Sequence, residues 1–159
     1  MTPPRKKPIA VVAAAVAAFA LPSSASAGQP LVDLKVAKHK DGPYASTQSA
    51  NIDLNQARPF YWKVKNLTDE KLPEVVLNDS TLYPAGWVAK WFRGKENITT
   101  EVLGDGYEFG LKAGKPKAFR SKLKPTKTAG PACHNAIAAP PETSPDSAAV
   151  IVNDAKCIF

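Results

Sequence analysis

The chain is poor in the residues on which reaction chemistry usually rests. Its 159 residues include two histidines, His39 and His134, and two cysteines, Cys133 and Cys157. No serine sits in the G-x-S-x-G elbow of an activated nucleophile. The two cysteines are far apart, not two residues apart as in a redox pair. No D-x-D-x-D run offers the six to eight oxygens that calcium takes, so Asp69, Glu70, Asn78, Asp79 and Asp105 read as solvated turn residues. No catalytic residue, metal ligand or cofactor motif is therefore assigned, and the expected class is not an enzyme. Helix is missing too: nowhere after residue 27 does an apolar period of 3.6 run for the length of a helix. The one long apolar run, residues 9–21, falls short of the ~20 residues that span a bilayer. No transmembrane segment is expected.

That run has another use. Arg5, Lys6 and Lys7 precede it and Ala25-Ser26-Ala27 come after it, which together make the three-part pattern of a secretory signal at residues 1–27. Cleavage before Gly28 leaves 132 residues, enough for the single domain expected at 28–159, and takes the net charge from +7 to +4 by removing three bases. The protein is expected outside the cytoplasm, secreted, extracellular or periplasmic.

Beyond residue 27 the chain reads as strands. Val32, Leu34 and Val36 alternate with polar residues, as do Phe60, Trp62 and Val64, and again Phe119, Ser121 and Leu123; a period of two is one face inward and one in water. Residues 51–54, 74–77, 133–139 and 148–158 are further candidates, residues 39–50 a loop. In residues 87–92 both faces look apolar, so that strand is either central or an exposer of aromatics. The 15 prolines lie mostly between these runs, where helix interiors and central strands are not. The fold class expected is all-β, a two-sheet antiparallel β-sandwich of about seven to eight strands.

In an exported protein an even cysteine count points to a disulfide. A hairpin of the last two strands, registered on Pro145, sets Cys133 directly opposite Cys157. Cα atoms of such a non-hydrogen-bonded pair lie about 4.5 Å apart, close enough to bridge.

Trp91-Phe92, Gly94, Asn97-Ile98-Thr99, Val102, Gly106-Tyr107 and Leu111-Lys112-Ala113-Gly114, with Tyr61-Trp62-Lys63-Val64-Lys65-Asn66 upstream, form a pattern of aromatic strands and glycine turns. It resembles that of short bacterial secreted proteins with an immunoglobulin-like fold, related to adhesion-type surface repeats. The resemblance implies an immunoglobulin-like sandwich and a non-catalytic, structural or surface-binding role. Where the family has P-G before the long strand, this chain has Ala113-Gly114.

Charge gives the one binding clue. Lys112, Lys115, Lys117, Arg120, Lys122, Lys124 and Lys127 occur in one segment without an acid. On a strand Arg120, Lys122 and Lys124 project in a row, and such a stripe attracts polyanions. An anionic cell-envelope polymer or surface glycan is the expected partner. Nucleic acid is not, since no nucleic-acid module signature accompanies the stripe. The competing reading is a solvated face whose lysines guard a sheet edge. Tyr61, Tyr83, Trp87 and Trp91 could together make a stacking platform for sugars, against the default of core packing for Trp62 and one of Trp87 and Trp91. The Asn-x-Ser/Thr triplets at Asn66, Asn78 and Asn97 read as turn chemistry. The expected function is thus a non-catalytic secreted module that scaffolds or binds a surface ligand. The alternative is a small secreted enzyme or enzyme inhibitor acting through loops at one end of the sandwich.

Intact-mass measurement checks the export and disulfide expectations together. The isolated protein should lack residues 1–27 and gain the mass of two hydrogens on reduction. A full-length chain with free thiols contradicts both.

Overall fold

The computed structural model describes residues 28–127 and 130–157; the expected signal at 1–27 lies outside them. Ten strands form two five-stranded sheets. The first sheet runs β1 (Val32–Ala37), β3 (Arg58–Asn66), β8 (Pro116–Pro125), β5 (Trp87–Arg93), β6 (Glu96–Asn97), and every neighbouring pair is antiparallel. The second runs β2 (Thr47–Ala50), β10 (Asp146–Val152), β9 (Ala132–Ala139), β4 (Leu72–Asp79), β7 (Tyr107–Leu111). The all-β sandwich read from alternation is therefore the architecture.

The alternation also sorts the faces. Phe60, Trp62 and Val64 on β3, and Phe119, Ser121 and Leu123 on β8, point inward and are buried. Residues 87–92 resolve in the same way: Trp87, Ala89 and Trp91 are buried, while Val88 and Lys90 are exposed. Both Trp87 and Trp91 are core. Against these large residues the second sheet sets small ones, Ala132, Ala136 and Ala138 on β9 with Ala148 and Val150 on β10. Small side chains opposite indoles let the two layers interdigitate at the density of a native core.

Besides the count, ten strands where seven or eight were expected because β2 and the two-residue β6 carry no alternation to read, four expectations need correction. Residues 47–50, read as loop, form β2, which pairs in parallel with β10, so the sandwich is not wholly antiparallel. The sequence TQSA has no apolar alternation to announce it; β2 is a strand because β10 offers it a ladder. Residues 51–54, read as a strand, turn instead, with the Gln56 amide donating to the Asp53 carbonyl and Asn55 at φ 63°. One short helix occurs where none was expected, α1 (Thr99–Leu103). Asn97 Oδ1 accepts from the Thr99 amide and hydroxyl at its start, and Val102 is buried beneath it. Five residues are too few to display a helical period.

The fourth correction concerns the last hairpin. Cys133 and Cys157 are bonded, with Cα atoms 5.7 Å apart, but not as cross-strand partners. The ladder pairs Ala138 with Asp146 and Cys133 with Ile151, so it is centred on the turn around Glu142, not on Pro145. The turn starts early because Thr143 donates from both amide and hydroxyl to the Pro140 carbonyl and Glu142 takes φ 59°. Strand β10 stops at Val152, and Asn153 and Asp154, at φ 53° and 58°, turn the chain back toward Cys133. Cys133 alternates with inward Ala132 and His134, so the bridge holds residues 153–157 against the outside of the second sheet. Closing this loop stabilises by roughly 3 kcal/mol in the chain-entropy model.

Gly106 marks the tightest backbone approach. It sits at φ 107°, and an added Cβ would lie 2.3 Å from Val76 Cγ1. Only glycine fits both restrictions. Gly106→Ala should lower unfolding free energy by about 2 kcal/mol or more in urea titration; an unchanged midpoint contradicts this reading of the turn into β7.

Candidate functional site

Two polar residues lie on inward faces, Ser121 on β8 and His134 on β9, and both are fully buried. They meet. Trp62 Nε1 donates to Ser121 Oγ at 2.8 Å, and Ser121 Oγ lies 2.8 Å from His134 Nε2. On the other side of the ring, His134 Nδ1 lies 2.6 Å from Tyr83 Oη, which donates at 2.5 Å to Asp79 Oδ2. Trp91 Nε1 donates to the same Asp79 oxygen at 2.8 Å and the Thr81 amide to Oδ1 at 3.0 Å. The chain of bonds thus crosses from β3, β5 and β8 of one sheet to β4 and β9 of the other.

Residues 80–83 deliver the tyrosine. Past the end of β4, the Ser80 amide donates to the Asn135 carbonyl at 2.9 Å and the Asn135 amide to Thr81 Oγ1 at 2.8 Å. These bonds prolong the β4–β9 ladder and turn Tyr83 inward. Around the imidazole stand Trp62 at 5.1 Å, edge to face, Trp91 at 5.4 Å and Tyr83 at 5.9 Å.

One proton assignment uses every donor. Tyr83 donates to Asp79, so His134 must donate through Nδ1–H to Tyr83; Nε2 then accepts from Ser121, whose oxygen accepts from Trp62. The other tautomer leaves the serine proton without an acceptor and the short Tyr83–Asp79 contact without a proton. Burial pushes the His134 pKa down to about 4 from its ordinary 6.5, against the opposing pull of Asp79. The 3.5 Å approach of His134 to Asp79 is therefore not an ion pair at neutral pH. Burial, then the Asp79 charge, raises the Tyr83 phenol well above its usual value. Serine, histidine and aspartate in this order look like a hydrolytic triad. Here Ser121 Oγ is sealed between Trp62 and His134 and the phenol of Tyr83 bridges the ring to the aspartate, so the group ties the two sheets together inside the core.

Asp79 is thus no solvated turn residue, and the platform of Tyr61, Tyr83, Trp87 and Trp91 does not assemble: three of the four face the interior junction or core and only Tyr61 faces out. Of the triplets, Asn66 and Asn97 do hold turns, each accepting from the amide and hydroxyl of the threonine two residues on. Asn78 lies within β4. No group of three metal-binding side chains occurs among the described residues. The junction could have been suspected from sequence, since a histidine between alanines and a serine between Phe119 and Leu123 each need a buried partner.

The outside of the first sheet is the other feature. Arg120, Lys122 and Lys124 do share a face, but β8 is the central strand, so they guard no edge. Across β3 the same face carries Lys63 and Lys65, across β5 Lys90, and on β1 Lys35, with Asp33 the one acid among these strand residues. The register sets Lys90 directly opposite Lys122 and Lys35 opposite Lys63. Asp33 pairs with Lys35 at 3.0 Å. Phe92 lies beside Arg120 and Lys122, with cation-to-centroid distances of 4.8 and 5.8 Å. Of the remaining bases in the segment, Lys117 turns away, its Nζ donating to the Gly110 carbonyl at 3.1 Å.

The junction makes a pH prediction. Above about 6.5 His134 is neutral in both folded and unfolded chains and contributes nothing to pH dependence. As pH falls toward 4 the unfolded chain binds a proton that the folded one refuses, so stability declines across that window by about 3 kcal/mol. Urea midpoints between pH 7.5 and 4 should show the slope, and His134→Phe, though less stable, should lack most of it. Equal slopes in both proteins contradict the assignment.

No family model matches the chain, and no characterised protein matches it by sequence. Among solved structures it is similar to a family 123 glycoside hydrolase from Clostridium perfringens, at 8% identity and TM-score 0.52, over 80% of this chain but only 28% of that one. It is also similar to the N-terminal domain of PorA, at 8% identity and TM-score 0.44, over 78% of this chain and 100% of that one. A third is AvmM, which catalyses macrocyclisation in alchivemycin A biosynthesis, at 9% identity and TM-score 0.41, over 82% and 93% of the two chains. The first likeness concerns the β fold alone; the chain spans little more than a quarter of that hydrolase.

Proposed function

We propose that this is an exported, non-catalytic module of immunoglobulin-like type that holds an anionic polymer of the cell envelope across the outer face of its first sheet. The observation that carries the reading is the register of charge on that face. Like charges directly opposite on neighbouring strands destabilise a sheet, yet Lys90 faces Lys122 and Lys35 faces Lys63, and the strands of that face carry one acid, Asp33, with Asp41 beside them in residues 40–44. Along β8 the three cations repeat every second residue, about 6.7 Å, and flanking strands add further rows. A polyanion lying across these rows relieves their repulsion.

Two supports concern the module itself. Taken in chain order, β1, β3, β4, β5, β8, β9 and β10 fall into the sheet orders β1-β3-β8-β5 and β10-β9-β4, which supports the immunoglobulin-like reading because a constant-type domain orders its strands A-B-E-D and G-F-C. Strand β7 departs from that scheme, since it flanks β4 but follows β5 in the chain. The Cys133–Cys157 bridge favours an oxidising compartment, and no helix among the described residues is long and apolar enough to cross a membrane.

Retention on purified, immobilised wall polymer tests the function. The protein should be held at low salt and released steeply as salt shortens the Debye length toward about 8 Å. The variant carrying Arg120→Glu, Lys122→Glu and Lys124→Glu should fold and pass through unretained. Equal retention of the two proteins, or of neither, overturns the reading.

A further inference from the structure

The basic face is not flat. Between residues 40–44 and strands β3 and β8 it holds a groove of about 490 Å3, within the size range of small-ligand sites. Tyr44 and Tyr61 line it, together with the cations Lys40, Lys63 and Arg120, and Asp41 stands among them. Resting on the polymer-binding reading above, we propose that this groove is the subsite for one acidic sugar unit, a hexuronate, of a carboxylated polysaccharide.

The groove is built before any ligand arrives. Tyr44 Oη donates to the Lys40 carbonyl at 2.7 Å, Gln48 Nε2 donates to the Pro43 carbonyl at 3.1 Å, and Val36 and Ala45 exchange two backbone bonds. Lys63 Nζ lies 4.0 Å from the centre of the Tyr44 ring, so cation and ring hold one another in place. Such preorganisation lowers the entropy lost on binding.

Three chemistries converge there, and one ligand class answers all of them. Arg120 stands opposite Tyr61 in the β3–β8 register, and its Nε is enclosed without an acceptor in the protein. A guanidinium fork suits a planar carboxylate. The tyrosine rings offer apolar surface to the C–H face of a pyranose. Asp41 supplies acceptors for sugar hydroxyls; its charge repels any anion, and only a ligand that brings hydroxyl donors offsets that repulsion. A hexuronate carries the carboxylate, the hydroxyl donors and the apolar ring face. A polyphosphate answers the cations alone.

Amide NMR titration of the protein with tetragalacturonate, neutral maltotetraose and inorganic phosphate tests the assignment. Tetragalacturonate should shift Tyr44, Tyr61 and Arg120, and both other probes should bind more weakly. Arg120→Gln and Tyr44→Ala should each weaken tetragalacturonate about tenfold, with spectra that still show a folded protein. Asp41→Asn should weaken tetragalacturonate and tighten phosphate, opposite signs that a merely destabilised loop would not produce. The Lys122→Gln/Lys124→Gln double variant, altered outside the groove, should lose polymer retention and weaken tetragalacturonate less than Arg120→Gln does. Phosphate or maltotetraose binding as tightly as tetragalacturonate, or no shift at Tyr44 and Tyr61, overturns the sugar subsite. If polymer retention nevertheless disappears in the double variant, the broader reading stands without the subsite; if the wild-type protein binds neither polymer nor oligosaccharide, both fall.

Discussion

A single line of hydrogen bonds, from Trp62 through Ser121, His134 and Tyr83 to Asp79, joins the two sheets through the middle of the core. Buried polar groups are costly unless each is satisfied, and a network satisfied throughout specifies one arrangement of its parts. Every donor here has an acceptor only if the imidazole is neutral and protonated at Nδ1. That requirement fixes how β8 and β9 lie across from each other, and the alanines of β9 leave the two indoles the space to close around the ring.

Strand β8 links this interior to the outside. Its period of two sends Ser121 into the junction and Arg120 and Lys122, one residue to either side, onto the outer face. A one-residue slip would bury cations and expose the serine, so the junction that locks the register of β8 also aligns the rows of positive charge. The cost of opposing lysines on a central strand is borne by a strand that cannot slide. Core packing and surface charge are thus separated by face on one element.

The strands themselves were legible where one face is apolar and the other is not, as in β1, β3 and β8; β5 reads as apolar on both faces because Val88 and Phe92 lie on its outer side. Strand β2 was not legible, because TQSA owes its conformation to β10 and carries no pattern of its own. The disulfide partners followed from compartment and number, whereas their geometry did not: a register cannot be counted from a loop whose first turn, set by Thr143 and Glu142, closes earlier than its midpoint. The Arg120, Lys122 and Lys124 stripe was visible as composition. Its placement at the centre of the sheet was not, since strand order depends on contacts between residues far apart in the chain, such as Trp62 with Ser121, 59 positions on. Asp79 misled for a similar reason. An acid after Asn and before Ser looks like a turn until Tyr83 and Trp91, four and twelve residues on, fold back to it.

The ring of His134 is where this arrangement of the core is most exposed to measurement. Long-range proton–nitrogen correlation spectra of the folded protein report directly which imidazole nitrogen carries the proton. Nδ1 should be protonated and Nε2 bare, with no change as pH is lowered through the ordinary histidine range toward 5. A proton on Nε2, or an imidazolium forming near the ordinary value of 6.5, would contradict the junction as described.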